Sequence, residues 1–159
     1  MASGPIVIGF DGSPASEHAI HEAAALLGSR PALAVVVWEA GAAFEMAEMP
    51  PAGTLTPAPI DMRTAGELDQ AMSERAQHLA QHGAKLASDV GFEAEGLAVA
   101  DEVTVAETLV RVANERDAQA IVLGSHGHSG FTERILGTTS QAVIRHAGRP
   151  VVVVRPAES

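Results

Sequence analysis

Short apolar runs alternate along the chain with longer stretches of helical period. Ile6-Val7-Ile8-Gly9-Phe10 is apolar on both faces, as a buried parallel strand must be, and it ends in Asp11-Gly12-Ser13-Pro14. Ser13 carries the side-chain oxygen of an N-cap and Pro14 the fixed φ suited to a first helical residue, so a helix starts there. Ala19, Ile20, Ala23, Leu26 and Leu27 form its expected buried stripe, and Gly28 ends it. Ala32 to Trp38 is a second buried strand. Glu39 to Met62 then loses all period and gathers Pro50, Pro51, Pro57 and Pro59, which predicts a long surface loop. Met46 and Met49 within it suit an adaptable surface patch better than a lid. From about Thr64 to Asp89 an amphipathic helix is predicted, with Leu68, Met72, Ala76, Leu79 and Leu86 toward the core.

The second half repeats the alternation. Gly91 makes a turn, Phe92 to Val99 a third strand, and Asp101 or Thr104 caps a helix whose core stripe is Val105, Leu109, Val112 and Ala113. Gln119 to Leu123 is a fourth strand. Thr139 to Ala147 is a short helix closed by Gly148, and beyond Pro150 the four valines Val151 to Val154 make a fifth strand. Strands alternating with helices imply right-handed crossovers and a parallel sheet covered by helices on both faces. The first and fourth strands both run into Gly-containing turns followed by hydroxyl residues. Placed side by side at a switch point, they give the order 3-2-1-4-5. In such sheets ligands bind beyond the carboxyl ends of the strands at that point.

That placement brings Asp11, Gly12 and Ser13 beside Gly124, Ser125 and Gly127. Glycine at a strand end lets backbone approach a ligand, because no Cβ stands in the way. Gly137-Thr138-Thr139-Ser140 opens the last helix with three hydroxyls beside unpaired amides and a positive dipole end. Together these form an anion-binding corner suited to the phosphates of a nucleotide.

Composition narrows the picture. The 159 residues fit a single domain, 1–159, with 47% hydrophobic and 19% charged residues. A net charge of −10 argues against nucleic acid and anionic membrane as partners and requires local help for any bound phosphate. Backbone amides, Arg134 and a divalent cation are the candidates. The chain has no cysteine, so disulfides, thiol chemistry and cysteine metal sites are excluded. No signal-like leader and no apolar run of membrane-spanning length are present, which predicts a cytoplasmic location.

The glycine spacing is not that of a Walker A loop, since Lys85 is the sole lysine and lies far from it, nor of the G-x-G-x-x-G dinucleotide fingerprint. Gly124-x-x-Gly127, nine residues, then Gly137-Thr138 resembles the nucleotide-binding signature of the universal stress protein family. The likeness extends from IVIGFDGSPASEHAI through VVVWEA to VLGSHG, LGTTS and RPVVVV, and covers the Glu39 to Met62 loop least. It implies a Rossmann-like fold of the adenine nucleotide alpha hydrolase type that binds ATP with Mg2+ (or Mn2+), works as a homodimer and serves stress survival. By position, Asp11 would face the base, the ribose or the metal, and Val37 would line the adenine slot. Gly124, Ser125, His126 and Gly127 would follow the ribose and α-phosphate, while Gly137, Thr138 and Thr139 would hold the outer phosphates. Many relatives carry a Gly-x-Pro-type turn after the third strand; Ala100-Asp101-Glu102-Val103 replaces it here and alters one wall of the base pocket.

Enzyme readings are weaker. Ser125, Ser129, His126 and His128 suggest a nucleophile and base, but Phe131 stands where the nucleophile elbow needs its second glycine. A phosphoryl-transfer site combines a cation-holding carboxylate, a water-orienting group and a stabilising cation, and only fragments of that set are visible in Asp11 and Arg134. An adenylating or ATP-pyrophosphatase-type enzyme lacks its Ser-Gly-Gly run after the first strand. The primary expectation is a nucleotide-binding regulator with at most slow ATP hydrolysis, cyclic AMP or AMP being the alternative ligands. It would act through its dimer surface or through a protein partner that the sequence does not identify. Val151 to Val154, an apolar edge strand in this order, is the predicted dimer contact. His78 and His82 at i, i+4 lack the glutamate of a zinc protease motif and read as surface, as do His18 and His21.

Overall fold

The computed structural model describes residues 2–40, 62–101, 103–125 and 136–156. Five strands, β1 (Ile6–Gly9), β2 (Pro31–Glu39), β3 (Glu93–Asp101), β4 (Ala120–Gly124) and β5 (Val151–Val154), form one sheet in the order β3-β2-β1-β4-β5. Every neighbouring pair is parallel, with Ile8 registered on both Ala34 and Val122, and Gly124 on Val154. The order matches the expectation, and the switch point falls between β1 and β4.

Period-2 alternation divides the strand side chains between two cores. On one face Ile6, Ile8, Val36 and Val122 pack with Ala19, Ile20 and Ala23 of α1 (Pro14–Leu27) and Ala76, Ala80 and Ala87 of α2 (Met62–Asp89). On the other face Val7, Leu33, Val35 and Ile121 meet Leu109 and Val112 of α3 (Val105–Glu115) and Val143 of α4 (Thr138–His146). Each fully buried Ile or Leu contributes about 1.5–3 kcal/mol by leaving water, so the two faces together hold the sheet between its helices.

Several boundaries and stripe members differ from the sequence expectation. Thr104 caps α3, its Oγ1 accepting from the Glu107 amide at 3.1 Å, whereas Asp101 is the last residue of β3. Glu39 ends β2 and Met62 begins α2, so both ends of the expected loop belong to regular elements; Met46, Met49 and the rest of 41–61 lie outside the described residues. Leu26 is 69% exposed because it sits on the flank of the α1 stripe in the last turn. Leu68 and Met72 are also exposed, at 45% and 37%. The 28 residues of α2 run about 42 Å, farther than a nine-residue strand of about 30 Å, and Leu79 already packs at Gly12 beyond the end of β1. Met72 and Leu68 lie two and three turns farther along the helix.

Candidate functional site

At the carboxyl ends of β1 and β4 a cleft of about 610 Å³ opens between α1, α3 and α4. Its floor is Gly9 with Leu123. One wall is apolar, built from Val35 and Val37 on a single face of β2 and Val105 and Leu109 one turn apart on α3. The opposite side is polar and carries Asp11, Ser13 and Ser16, with Gly137, Thr138, Thr139 and Ser140 at the start of α4. Among the described lining residues Asp11 and Glu39 alone are charged, and both are acidic.

The turn after β1 is fixed locally. Asp11 Oδ1 accepts from the Ser13 amide at 2.9 Å, and Gly12 takes φ +79°, a left-handed conformation that costs glycine nothing. Ser13 Oγ then accepts from the Ser16 amide at 3.1 Å, and Ser16 Oγ donates back to the Ser13 carbonyl at 2.9 Å. The α1 N-terminus is therefore closed by its own serines, both buried.

The start of α4 is different. Its N-cap is Gly137, which has no side chain with which to satisfy the first amides of the helix. The frame around it is tied by backbone. Gly137 N donates to the Ser125 carbonyl at 2.7 Å, Ser125 N to the Val154 carbonyl at 2.9 Å, and Ser140 Oγ to the Gly124 carbonyl at 3.0 Å. These bonds hold the end of β4, the end of β5 and the first turn of α4 together. The uncapped helix start then faces the cleft with its dipole positive.

Seven of the residues singled out in sequence meet at this cleft: Asp11, Ser13, Val37, Gly124, Gly137, Thr138 and Thr139. Gly12 shapes the turn, and a Cβ there would lie 3.0 Å from the Leu79 side chain. Ser125 is buried and belongs to the frame. His126, Gly127, Ser129 and Arg134 lie outside the described residues. Gly124 has a second reason to be glycine. A Cβ there would stand 3.1 Å from the backbone carbonyl of Ala15, so its absence admits the first turn of α1 against β4. The sequence reading missed Val35, Glu39, Val105 and Leu109 as cleft residues. The signal was present: Val35, Val37 and Glu39 share one strand face, and Val105 and Leu109 are separated by one helical turn.

His21, His78 and His82 are exposed, as expected, and His82 also has neighbours across the helix contact. His82 Nε2 lies 3.9 Å from Glu17 Oε1 across the α1–α2 contact, and its ring is tilted on Phe10 with centroids 6.2 Å apart. Among the described residues no group of three or more metal-binding side chains converges, and no helix is long and apolar enough to cross a membrane.

A model of the universal stress protein family matches residues 3–155. A universal stress protein of Methanocaldococcus jannaschii is 30% identical over 89 residues, which are 56% of this chain and 54% of that protein. One of Mycolicibacterium smegmatis is 33% identical over 88 residues, 54% of this chain and 29% of that protein. The matched stretch thus spans about half of the first relative and less of the second. The solved structure of the M. jannaschii protein superposes with a TM-score of 0.74 at 22% identity, covering 100% of both chains. A universal stress protein from Archaeoglobus fulgidus in complex with dAMP gives 0.63 at 21%, covering 98% of this chain and 100% of that one. A universal stress protein in complex with cAMP gives 0.60 at 20%, covering 98% of each. At these identities the superpositions establish the shared fold, and the family model supplies the assignment. The chain belongs to the universal stress protein family.

Proposed function

We propose that the cleft binds an adenine nucleotide, ATP together with Mg2+ (or Mn2+), and that the chain is a cytoplasmic, nucleotide-binding regulator of the stress response. The observation that carries this reading is the uncapped start of α4, where Gly137, Thr138 and Thr139 face the acidic Asp11 turn across a cleft with one apolar wall. Amides and hydroxyls at a helix start suit the outer phosphates. The Val35 and Val37 wall suits the flat face of the base, and Gly124, with His126 and Gly127 after it in the chain, suits the ribose and α-phosphate. Asp11 with the threonine hydroxyls offers the hard oxygen donors that Mg2+ prefers. Such an ion would offset the mutual repulsion of a triphosphate and the acidic lining.

Among the described lining residues nothing combines water orientation with a stabilising cation, so regulation by occupancy fits the cleft better than turnover. The signal would pass through a homodimer joined at the β5 edge, where Val151 to Val154 are half-buried in the single chain, or to a separate protein partner. A mononucleotide, AMP or cyclic AMP, is the second reading. It is favoured by the same lack of a cationic side chain among the described lining residues and by the dAMP and cAMP complexes of the relatives.

The test uses protein purified without added nucleotide. It is denatured, any released ligand is identified by mass, and stripped protein is titrated with ATP, AMP and cyclic AMP with and without Mg2+. Mg2+-dependent ATP binding is the expected result. Tighter binding of AMP or cyclic AMP without the metal would replace ATP by the second reading, and binding of none would refute both.

A further inference from the structure

Val35, Val37 and Glu39 lie on one face of β2, each about 6.6 Å beyond the last, and all three line the cleft. The first two are apolar, and among the described residues the third is the only charge on that wall. Among the described residues the Glu39 carboxylate meets neither a cation nor a hydrogen-bond donor. Its registered neighbour across the sheet is Asp101, the last residue of β3. Two like charges in register repel each other and give this end of the wall a negative character among the described residues. A ligand group placed there must therefore present N–H, because a carbonyl oxygen would be repelled.

We infer that Glu39 selects the base. This rests on the reading that the cleft holds a nucleotide with its base on Val37. The Glu39 carboxylate, one step farther along the same face, accepts a hydrogen bond from the exocyclic amine of adenine and rejects a base with a carbonyl oxygen at that position. ATP and inosine triphosphate differ at this edge and share every other recognition group, so the ratio of their affinities cancels the contributions of phosphate, ribose and Mg2+.

The experiment is calorimetric titration of the full chain and of Glu39→Gln with ATP, inosine triphosphate and GTP in the presence of Mg2+. In the natural chain inosine triphosphate should bind about tenfold more weakly than ATP, the scale of one charge-assisted hydrogen bond. In Glu39→Gln the ratio should fall to about twofold, because an amide turns to donate to the oxygen as readily as it accepts from the amine. Glu39 is exposed at the end of its strand and its charge faces Asp101, so the variant should melt no lower than the natural chain. Equal binding of ATP and inosine triphosphate, or a tenfold ratio that survives Glu39→Gln, overturns the assignment and leaves the nucleotide site standing. Preference for inosine triphosphate or GTP overturns it as well, since the carboxylate would then be meeting the N1–H of the base. If no nucleotide binds the natural chain, the site and the selection fall together.

Discussion

Gly83 lies inside α2, where replacing glycine by alanine ordinarily stabilises a helix by about 1 kcal/mol. Here the structure predicts the opposite sign. A Cβ on Gly83 would stand 2.7, 3.0 and 3.1 Å from three atoms of the Phe10 ring. That ring is 3% exposed and belongs to the core between the sheet and the two helices, so it cannot move aside without disturbing that packing. Overpacking of a filled core costs about 1–3 kcal/mol, which outweighs the propensity gain and leaves Gly83→Ala destabilised by about 1 kcal/mol. Shortening the ring should remove the clash and restore the ordinary gain. In a Phe10→Leu background the same substitution should therefore stabilise by up to about 1 kcal/mol, a coupling near 2 kcal/mol. Urea unfolding of the four chains, followed by the fluorescence of Trp38, the only tryptophan, measures this directly if the slopes agree. A Gly83→Ala variant more stable than the natural chain, or one whose effect is independent of residue 10, would refute the packing argument.

Three further outcomes are expected. Gly137→Val should abolish nucleotide binding in calorimetry while the circular dichroism and melting temperature stay close to those of the natural chain; unchanged affinity would remove the α4 start from the site. Asp11→Asn keeps an oxygen acceptor for the Ser13 amide, so the turn should persist, and its expected effect is an affinity for ATP that no longer responds to Mg2+. Sedimentation equilibrium should show a concentration-dependent dimer. Val153→Pro should shift it toward monomer, because the carbonyls of Pro150 and Val154 face β4 while residue 153 turns its backbone to the open edge. A monomer at every concentration in the natural chain would dismiss the edge contact.

Much of the fold was legible because the signals were redundant. The apolar runs at Ile6 and Ala120 could be neither surface strands nor complete helices, and each was followed by a turn or helix start with its own chemistry. The walls of the cleft were harder to read. Val105 and Leu109 were counted as core because the stripe that buries α3 continues without a break past the sheet edge into the cleft. Glu39 was assigned to the loop, since a strand's last residue leaves the apolar run before it leaves the hydrogen-bonded ladder. For Gly124 the sequence showed that a Cβ was missing. It could not show that a helix, as well as a ligand, takes advantage of the space. Leu26, Leu68 and Met72 followed the helical period and yet stand exposed, Leu26 because it falls on the flank of its stripe.

Part of the polar side of the cleft is main chain: the amides at the start of α4, framed by carbonyls tied across β4 and β5, with a glycine where a cap would otherwise stand. Main-chain carbonyls belong to every amino acid, and main-chain N–H groups to all but proline. Mutation can exchange nearly any side chain around them without deleting the donors, provided the helix still begins at the same place. Lineages built on such a frame can diverge far in sequence, and the superposed structures share the fold with about one residue in five identical. The opposite wall differs in kind, being built from the side chains of Val35, Val37, Val105 and Leu109. That apolar wall is where descendants of one ancestral frame would be free to differ in what they hold.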